Sequence, residues 1–278
     1  MHSRRSSCLC VTATIIVTAA PCFAQTSDNK EKALLDAENP IATRISVPFQ
    51  SNTYFSSGPL EKTGNVVIIQ PIVPTKLTRD WYLITRWVTR VVYVPRRSPD
   101  RGSAFGLGNL QPEFYFSPAH TGKVIWGVGP KLYLPTATHH ELGINRMGGG
   151  LAAAGLTTNG PWIIGIIAHN VWAGSGNERV DQMTLSPFVY FNVKDGWYFV
   201  SSPVITSNWA ATSGGRWTVP LGGGIGRLFK IGKQPVNVRI QGLHNAARPD
   251  FGSSWQLQVQ VQFLFSKPSN EADDVRSR

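Results

Sequence analysis

Beyond residue 24 the chain has no cysteine, no long apolar run and no extended helical periodicity, and it is poor in acidic residues. Each absence excludes something. A bilayer-spanning helix requires an uncharged apolar stretch of ~20 residues. The longest such run, Trp162 to Ala168, is far shorter and contains a glycine, so no transmembrane helix is expected. Without cysteine an exported chain must hold together without disulfides, which a domain of this size can do by burying apolar surface. No Gly-x-Ser-x-Gly string occurs, and the glycines Gly222, Gly223, Gly224 and Gly226 are followed by Arg227-Leu228-Phe229 rather than Gly-Lys-Ser or Gly-Lys-Thr. That argues against a serine-hydrolase elbow and a phosphate cradle alike. The one stretch with helical character is Lys30 to Glu38, ended by Asn39-Pro40.

The three cysteines, Cys8, Cys10 and Cys22, lie at the N-terminus, where Arg4 and Arg5 precede an apolar stretch from Leu9 to Ala20. Cys22-Phe23-Ala24 then offers small residues at the two positions a signal peptidase reads. Residues 1–24 are therefore expected to be a secretory signal, cleaved before Gln25. The formal charge of the chain is +11, and residues 44–266 alone carry twenty basic side chains against nine acidic ones. Nucleic acid is the usual partner of such a balance, but these charges are scattered over strand ends and turns, and an exported chain does not meet nucleic acid. Anionic lipid headgroups or anionic solutes are the expected partners.

What recurs in the sequence is the strand. Stretches rich in Val, Ile, Thr and aromatics, separated by Gly, Pro, Asn and Asp, fall near 44–55, 65–77, 80–94, 105–117, 124–134, 148–157, 161–173, 182–193, 197–207, 216–229, 235–245 and 255–266. The connections alternate. Those at Thr78-Arg79, Pro118 to Lys123, Thr158 to Gly160, Lys194 to Gly196 and Lys230 to Gln234 are short. Those at 56–64, 95–104, 135–147, 174–181, 208–215 and 246–254 are longer and more polar. A sandwich has no reason to alternate in this way; a membrane barrel does, with tight periplasmic turns and long external loops. Asn159-Gly160 and Asp195-Gly196 read as two-residue hairpin turns.

The final strand carries the period of two most clearly. Trp255, Leu257, Val259, Val261, Phe263 and Phe265 fall on one face, and Gln256, Gln258, Gln260 and Gln262 on the other. In hydrocarbon every backbone donor and acceptor must be paired internally, so such a sheet must close on itself. The expected fold is all-β: one antiparallel transmembrane β-barrel of twelve strands over residues 44–266. A periplasmic segment, 25–43, would precede it, and a hydrophilic tail, 267–278, would follow. The second strand and the start of the seventh, apolar on both faces, fit this pattern poorly. Trp81, Trp162 and Trp197 would form a girdle at the periplasmic rim, and Trp172, Trp209, Trp217 and Trp255 another at the outer rim.

If the polar faces point inward, Arg86, Arg90, Lys131 and Arg239 line a lumen with Glu113 as the acid beside them and His169 on the same side. Gln241, Gln258 and Gln260 add neutral donors and acceptors. Two readings stay open: cationic rings that draw small anionic or phenolic solutes, or arginines that pair with Glu113 to fill a closed interior. Basic residues Lys62, Arg96, Arg97, Arg101, Arg146 and Arg179 fall in external loops, where lipopolysaccharide phosphates lie. His139-His140-Glu141 is expected to be a solvated loop, because adjacent histidines rarely converge on one ion. His169-Asn170 could belong to a lipid-modifying hydrolase, but a lone strand histidine is more often structural. No catalytic residue, cofactor or metal is assigned.

Particular strings also resemble a known family. They include Asn39-Pro40-Ile41-Ala42 with Ile45 to Gln50, Phe105-Gly106-Leu107-Gly108-Asn109 and Trp126-Gly127-Val128-Gly129-Pro130. Further on come Leu134 to Thr138, Asp195-Gly196-Trp197, Trp217-Thr218-Val219-Pro220, Gly232 to Val236 and Phe263-Leu264-Phe265. In order, these resemble the outer-membrane family named for the MetA-like protein of phenol meta-cleavage pathways. The resemblance implies an outer-membrane barrel for passage of small organic molecules, embedded among lipid and lipopolysaccharide and delivered by the outer-membrane assembly machinery. A non-conducting structural barrel is the other class. Phe265 is followed by Ser266 to Arg278, so the terminal aromatic of such barrels is not at the chain end here.

Overall fold

The structure is a computed structural model that describes Asn39 and residues 44–96, 98, 102–174, 179–211 and 215–265. The expected signal (1–24), the short helix at Lys30 to Glu38 and the tail (267–278) lie outside the described residues, as do Arg97 and Arg101.

The described chain is a closed antiparallel barrel of twelve staves. Nine staves are single strands: β1 (Ile45–Ser57), β4 (Trp81–Val94), β7 (Val124–Tyr133), β8 (Gly148–Asn159), β9 (Trp162–Ala173), β10 (Val180–Asn192), β13 (Trp217–Ile231), β14 (Gln234–Ala247) and β15 (Trp255–Phe265). Three staves are each split in two: β2 (Lys62–Ile69) with β3 (Ile72–Lys76), β5 (Ala104–Leu107) with β6 (Gln111–Pro118), and β11 (Trp197–Ser201) with β12 (Ile205–Asn208). Two splits coincide with prolines, Pro71 and Pro203, which have no N–H to give the ladder. Closure is made by β1 against β15, in unbroken register from Ile45↔Phe265 to Phe55↔Trp255.

Turn chemistry explains two departures from the expected connections. Asn159 stays in the ladder opposite Trp162, and the hairpin turns through Gly160 and Pro161 instead. Gly160 has φ +55°, but proline locks φ negative, and a type I′ turn centred on Asn-Gly would have required positive φ at both positions. Asp195 and Gly196 do carry positive φ, 60° and 77°. The first upper connection is not long: β1 runs through an irregularity between Tyr54 and Ser57, leaving only residues 58–61 outside the strands. Short and long connections therefore alternate everywhere except at this hairpin. Below, "lower" is the end where Ile45 meets Phe265.

The outer wall is an apolar belt. Leu151 is 69% exposed, Leu221 58% and Phe199 57%, with Ile164, Ile166, Ile225, Ile240 and Val259 beside them. A continuous band of this kind is untenable in water and suited to hydrocarbon. Tryptophans fringe it. At the lower end Trp81 packs edge-on against Trp126, ring centres 6.2 Å apart, and Arg227 lies over Trp197 at 5.1 Å. At the upper end Trp209 meets Trp217 at 5.7 Å and His244 meets Trp255 at 4.8 Å. Trp126 joins the lower fringe although the sequence pattern did not place it there.

The lower half of the interior is filled by side chains. Leu156, Ile163, Phe188, Tyr190, Tyr198, Val200, Leu228 and Leu264 form one buried cluster, and Ile72, Ile84, Tyr115, Ala152 and Ala154 a second. Ile125 and Ile167 pack against both. Two glycines make room for rings: a Cβ on Gly226 would lie 2.2 Å from the Tyr198 ring, and one on Gly165 2.4 Å from Phe188. The strands that are apolar on both faces belong here, since Ile72 and Ile163 face inward into this layer.

Candidate functional site

Alternation along β4 sends Arg86 and Arg90, four residues apart, to the same inner face. The ladder then sets Arg86 opposite Glu113 on β6, and Glu113 opposite Lys131 on β7. The outcome is one carboxylate shared by two cations: Arg86 donates through NH1 to Glu113 Oε2 at 3.0 Å, and Lys131 Nζ to Oε1 at 2.6 Å. Tyr115 O–H donates to Oε2 at 2.9 Å. Arg86 also donates from Nε and NH2 to Gln70 Oε1, at 3.1 and 2.6 Å. Lys131 Nζ lies 3.0 Å from His169 Nε2, brought in by β9.

The opposite wall carries the second network. Arg239 donates through NH1 to the Tyr190 hydroxyl at 2.6 Å, and through NH2 to Gln260 Oε1 at 2.8 Å and Gln50 Oε1 at 3.2 Å. Gln241 Nε2 donates to Gln258 Oε1 and, at 2.9 Å, to the Ser202 hydroxyl, while its own Oε1 accepts from the Ser202 N–H at 3.2 Å. Gln241 thus satisfies the backbone at the break between β11 and β12, where no strand partner does.

Above the apolar layer the interior is hollow. A cavity of about 480 Å³ occupies the upper half, walled by Arg90, Gln111, Gln182, Gln256 and Gln258 together with Tyr54 and Tyr133. A smaller one of about 180 Å³ reaches down to Phe188 and Tyr190. Gln50, Ile68, Arg90, His169, Val204 and Gln258 line both. Of the nine residues expected at the lumen, Arg86, Arg90, Glu113, His169, Arg239 and Gln258 line these cavities, while Lys131, Gln241 and Gln260 point inward but are covered by their neighbours. Among the described residues Arg90 takes part in no hydrogen bond or ion pair. Among the described residues, four cations thus face inward with Glu113 as the carboxylate beside them, and it is bonded to two of the four, Arg86 and Lys131.

Sequence reasoning missed Gln70, Phe188, Tyr190 and Ser202. Gln70 was legible by phase with Ile68 and Ile72; Tyr190's pairing was not, because its partner Arg239 lies three staves further along the chain. His169 and Asn170 project to opposite faces: His169 inward to Lys131, Asn170 outward, where its Nδ2 donates to Asp181 Oδ1 at 3.1 Å. No hydroxyl among the described residues hydrogen-bonds His169. His140 is solvent-exposed, 4.0 Å from the Glu141 carboxylate.

No family model matches the chain, and none of the curated proteins is significantly similar to it. Solved structures do match. An outer membrane channel from Pseudomonas putida F1 superimposes with a TM-score of 0.60 at 16% identity, over 81% of this chain and 96% of that one. A monoaromatic hydrocarbon channel, CymD, gives 0.46 at 9% identity over 84% and 93%. The outer membrane phospholipase A from Escherichia coli gives 0.41 at 14% over 81% and 93%. The first likeness is one of fold. Together with the closed ladder and the apolar belt, it makes the chain an outer-membrane β-barrel.

Proposed function

We propose that this barrel is a channel for passive passage of small organic solutes across the outer membrane, with a bias toward anions, and that it is a member of the MetA-like outer-membrane family. The observation that carries the reading is the polar upper cavity, which leads to a deeper pocket beside Arg90, a cation bonded to none of the described residues. Rings of Arg and Lys favour anions. The fold shared with an outer membrane channel supports the reading. Residues 25–43 belong on the periplasmic side in it, and the exposed Lys62 at the upper rim faces lipopolysaccharide phosphates.

Purified barrel in planar bilayers tests the proposal. Small, anion-favouring conductance steps are expected, with a reversal potential displaced toward the chloride value across a potassium chloride gradient. A folded barrel that never conducts and swells no liposome refutes it. A lipid-modifying hydrolase is the other class; the Lys131 partner of His169 disfavours it, and turnover of a phospholipid ester by the purified protein would favour it.

A further inference from the structure

The deeper cavity differs in chemistry from the one above it. It brings three guanidinium groups, Arg86, Arg90 and Arg239, onto the same small space as two aromatic rings, Phe188 and Tyr190, and the apolar Val88. These groups are not equally available. Arg86 is engaged on both sides, by Glu113 and by Gln70. Arg239 is held by Tyr190, Gln50 and Gln260. Arg90 is bonded to no described residue and opens onto both cavities.

The rings are fixed in place. Phe188 sits over Gly165, where a Cβ would collide with it, and lies 5.7 Å from Tyr190, whose hydroxyl is tied to Arg239 at 2.6 Å. Tyr190 in turn meets Tyr198 at 5.6 Å. The floor is therefore an aromatic shelf held by its contacts, below a guanidinium that bonds none of the described residues.

We propose that the deep cavity is a binding site for a single-ring aromatic carboxylate, with the carboxylate on the Arg90 guanidinium and the ring against Phe188 and Tyr190. This deepens the channel reading by naming its solute class, and rests on it. A planar guanidinium presents paired N–H donors that match a carboxylate, and aromatic faces reward a second ring at offset or edge-on separations. An inorganic anion would leave the apolar wall without a partner, and a neutral ring would leave Arg90 without one. At about 180 Å³ the space suits one ring and not a long acyl chain.

Equilibrium dialysis with the protein purified from outer membranes in detergent tests the site. The probes are benzoate, acetate (charge without ring) and benzyl alcohol (ring without charge). Benzoate is expected to bind one site, with benzyl alcohol about tenfold weaker or more, the usual worth of a charged hydrogen-bonded contact, and acetate about tenfold weaker or more through loss of the buried ring. Arg90→Gln should weaken benzoate by a similar factor and leave benzyl alcohol unchanged, and Phe188→Leu should weaken both. Benzoate binding no tighter than acetate overturns the proposal, and so does an Arg90→Gln barrel, folded by its heat-dependent gel migration, that binds benzoate like the parent. The probe series on the unaltered protein decides alone if that variant does not fold. Conductance without benzoate binding sinks the site and leaves the channel; benzoate binding without conductance does the reverse.

Discussion

Among the described residues Glu113 is the single carboxylate of the inner wall, and Glu113→Gln isolates what its charge does. The side chain is 1% exposed and accepts from Arg86 at 3.0 Å, Lys131 at 2.6 Å and Tyr115 at 2.9 Å. Glutamine keeps the shape but withdraws the counter-ion from Lys131, itself 1% exposed, whose remaining neighbour at hydrogen-bond distance is His169. Arg86 fares better, because Gln70 still receives two of its N–H groups. Removing one partner of a buried pair costs about 3–5 kcal/mol, most of it the desolvation of the stranded charge. Removing Lys131 as well should then recover much of the loss, since no buried ammonium remains. The assay is urea unfolding of the barrel refolded into lipid vesicles, followed by tryptophan fluorescence, for the parent, Glu113→Gln, Lys131→Met and the double variant. A loss below about 1 kcal/mol in Glu113→Gln, or a double variant whose loss is the sum of the two singles, would refute the claim that this pair neutralises itself inside the wall.

Four further outcomes follow from the packing and the topology. Gly226→Val forces a branched side chain onto the Tyr198 ring and should cost about 1–3 kcal/mol in the same unfolding assay, and much less when it is introduced into a Tyr198→Ala background. Phe188→Ala removes part of the apolar layer below the deep cavity; larger conductance steps in bilayers are expected, with the folded band on gels retained, and unchanged steps would show that the path does not cross Phe188. Leu151→Arg, on the outer belt, should cost about 2–4 kcal/mol if residue 151 lies near the bilayer midplane. Cysteine introduced at Ala210 should be labelled by an impermeant maleimide on intact cells and cysteine at Lys233 should not, which checks which end faces outward.

Much of the architecture was legible because a barrel wall repeats a local rule. Trp255 to Phe265 spells its two faces in a period of two, and most staves can be read from that rule, the second and the start of the seventh only from the turn residues around them. The same rule sent Arg86, Arg90, Glu113, Lys131, His169 and Arg239 to one face, since facing depends on parity along each strand. The rule has local exceptions that the sequence disguises: Pro161 moved the turn from Asn159-Gly160, and β1 ran on through Ser57 to shorten the first upper loop.

Partners and filling were decided only in three dimensions. Glu113 pairs with Arg86 and Lys131 because the register of β4, β6 and β7 sets them abreast, and Arg239 meets Tyr190 across the barrel, at a sequence distance no periodicity reports. Ile72 and Ile163 looked like failures of alternation, yet they face inward. There the residues opposite are also apolar, so the lower interior is a packed core rather than a wet lumen. Parity along a strand is set by the backbone alone, whereas what occupies the interior depends on twelve staves at once.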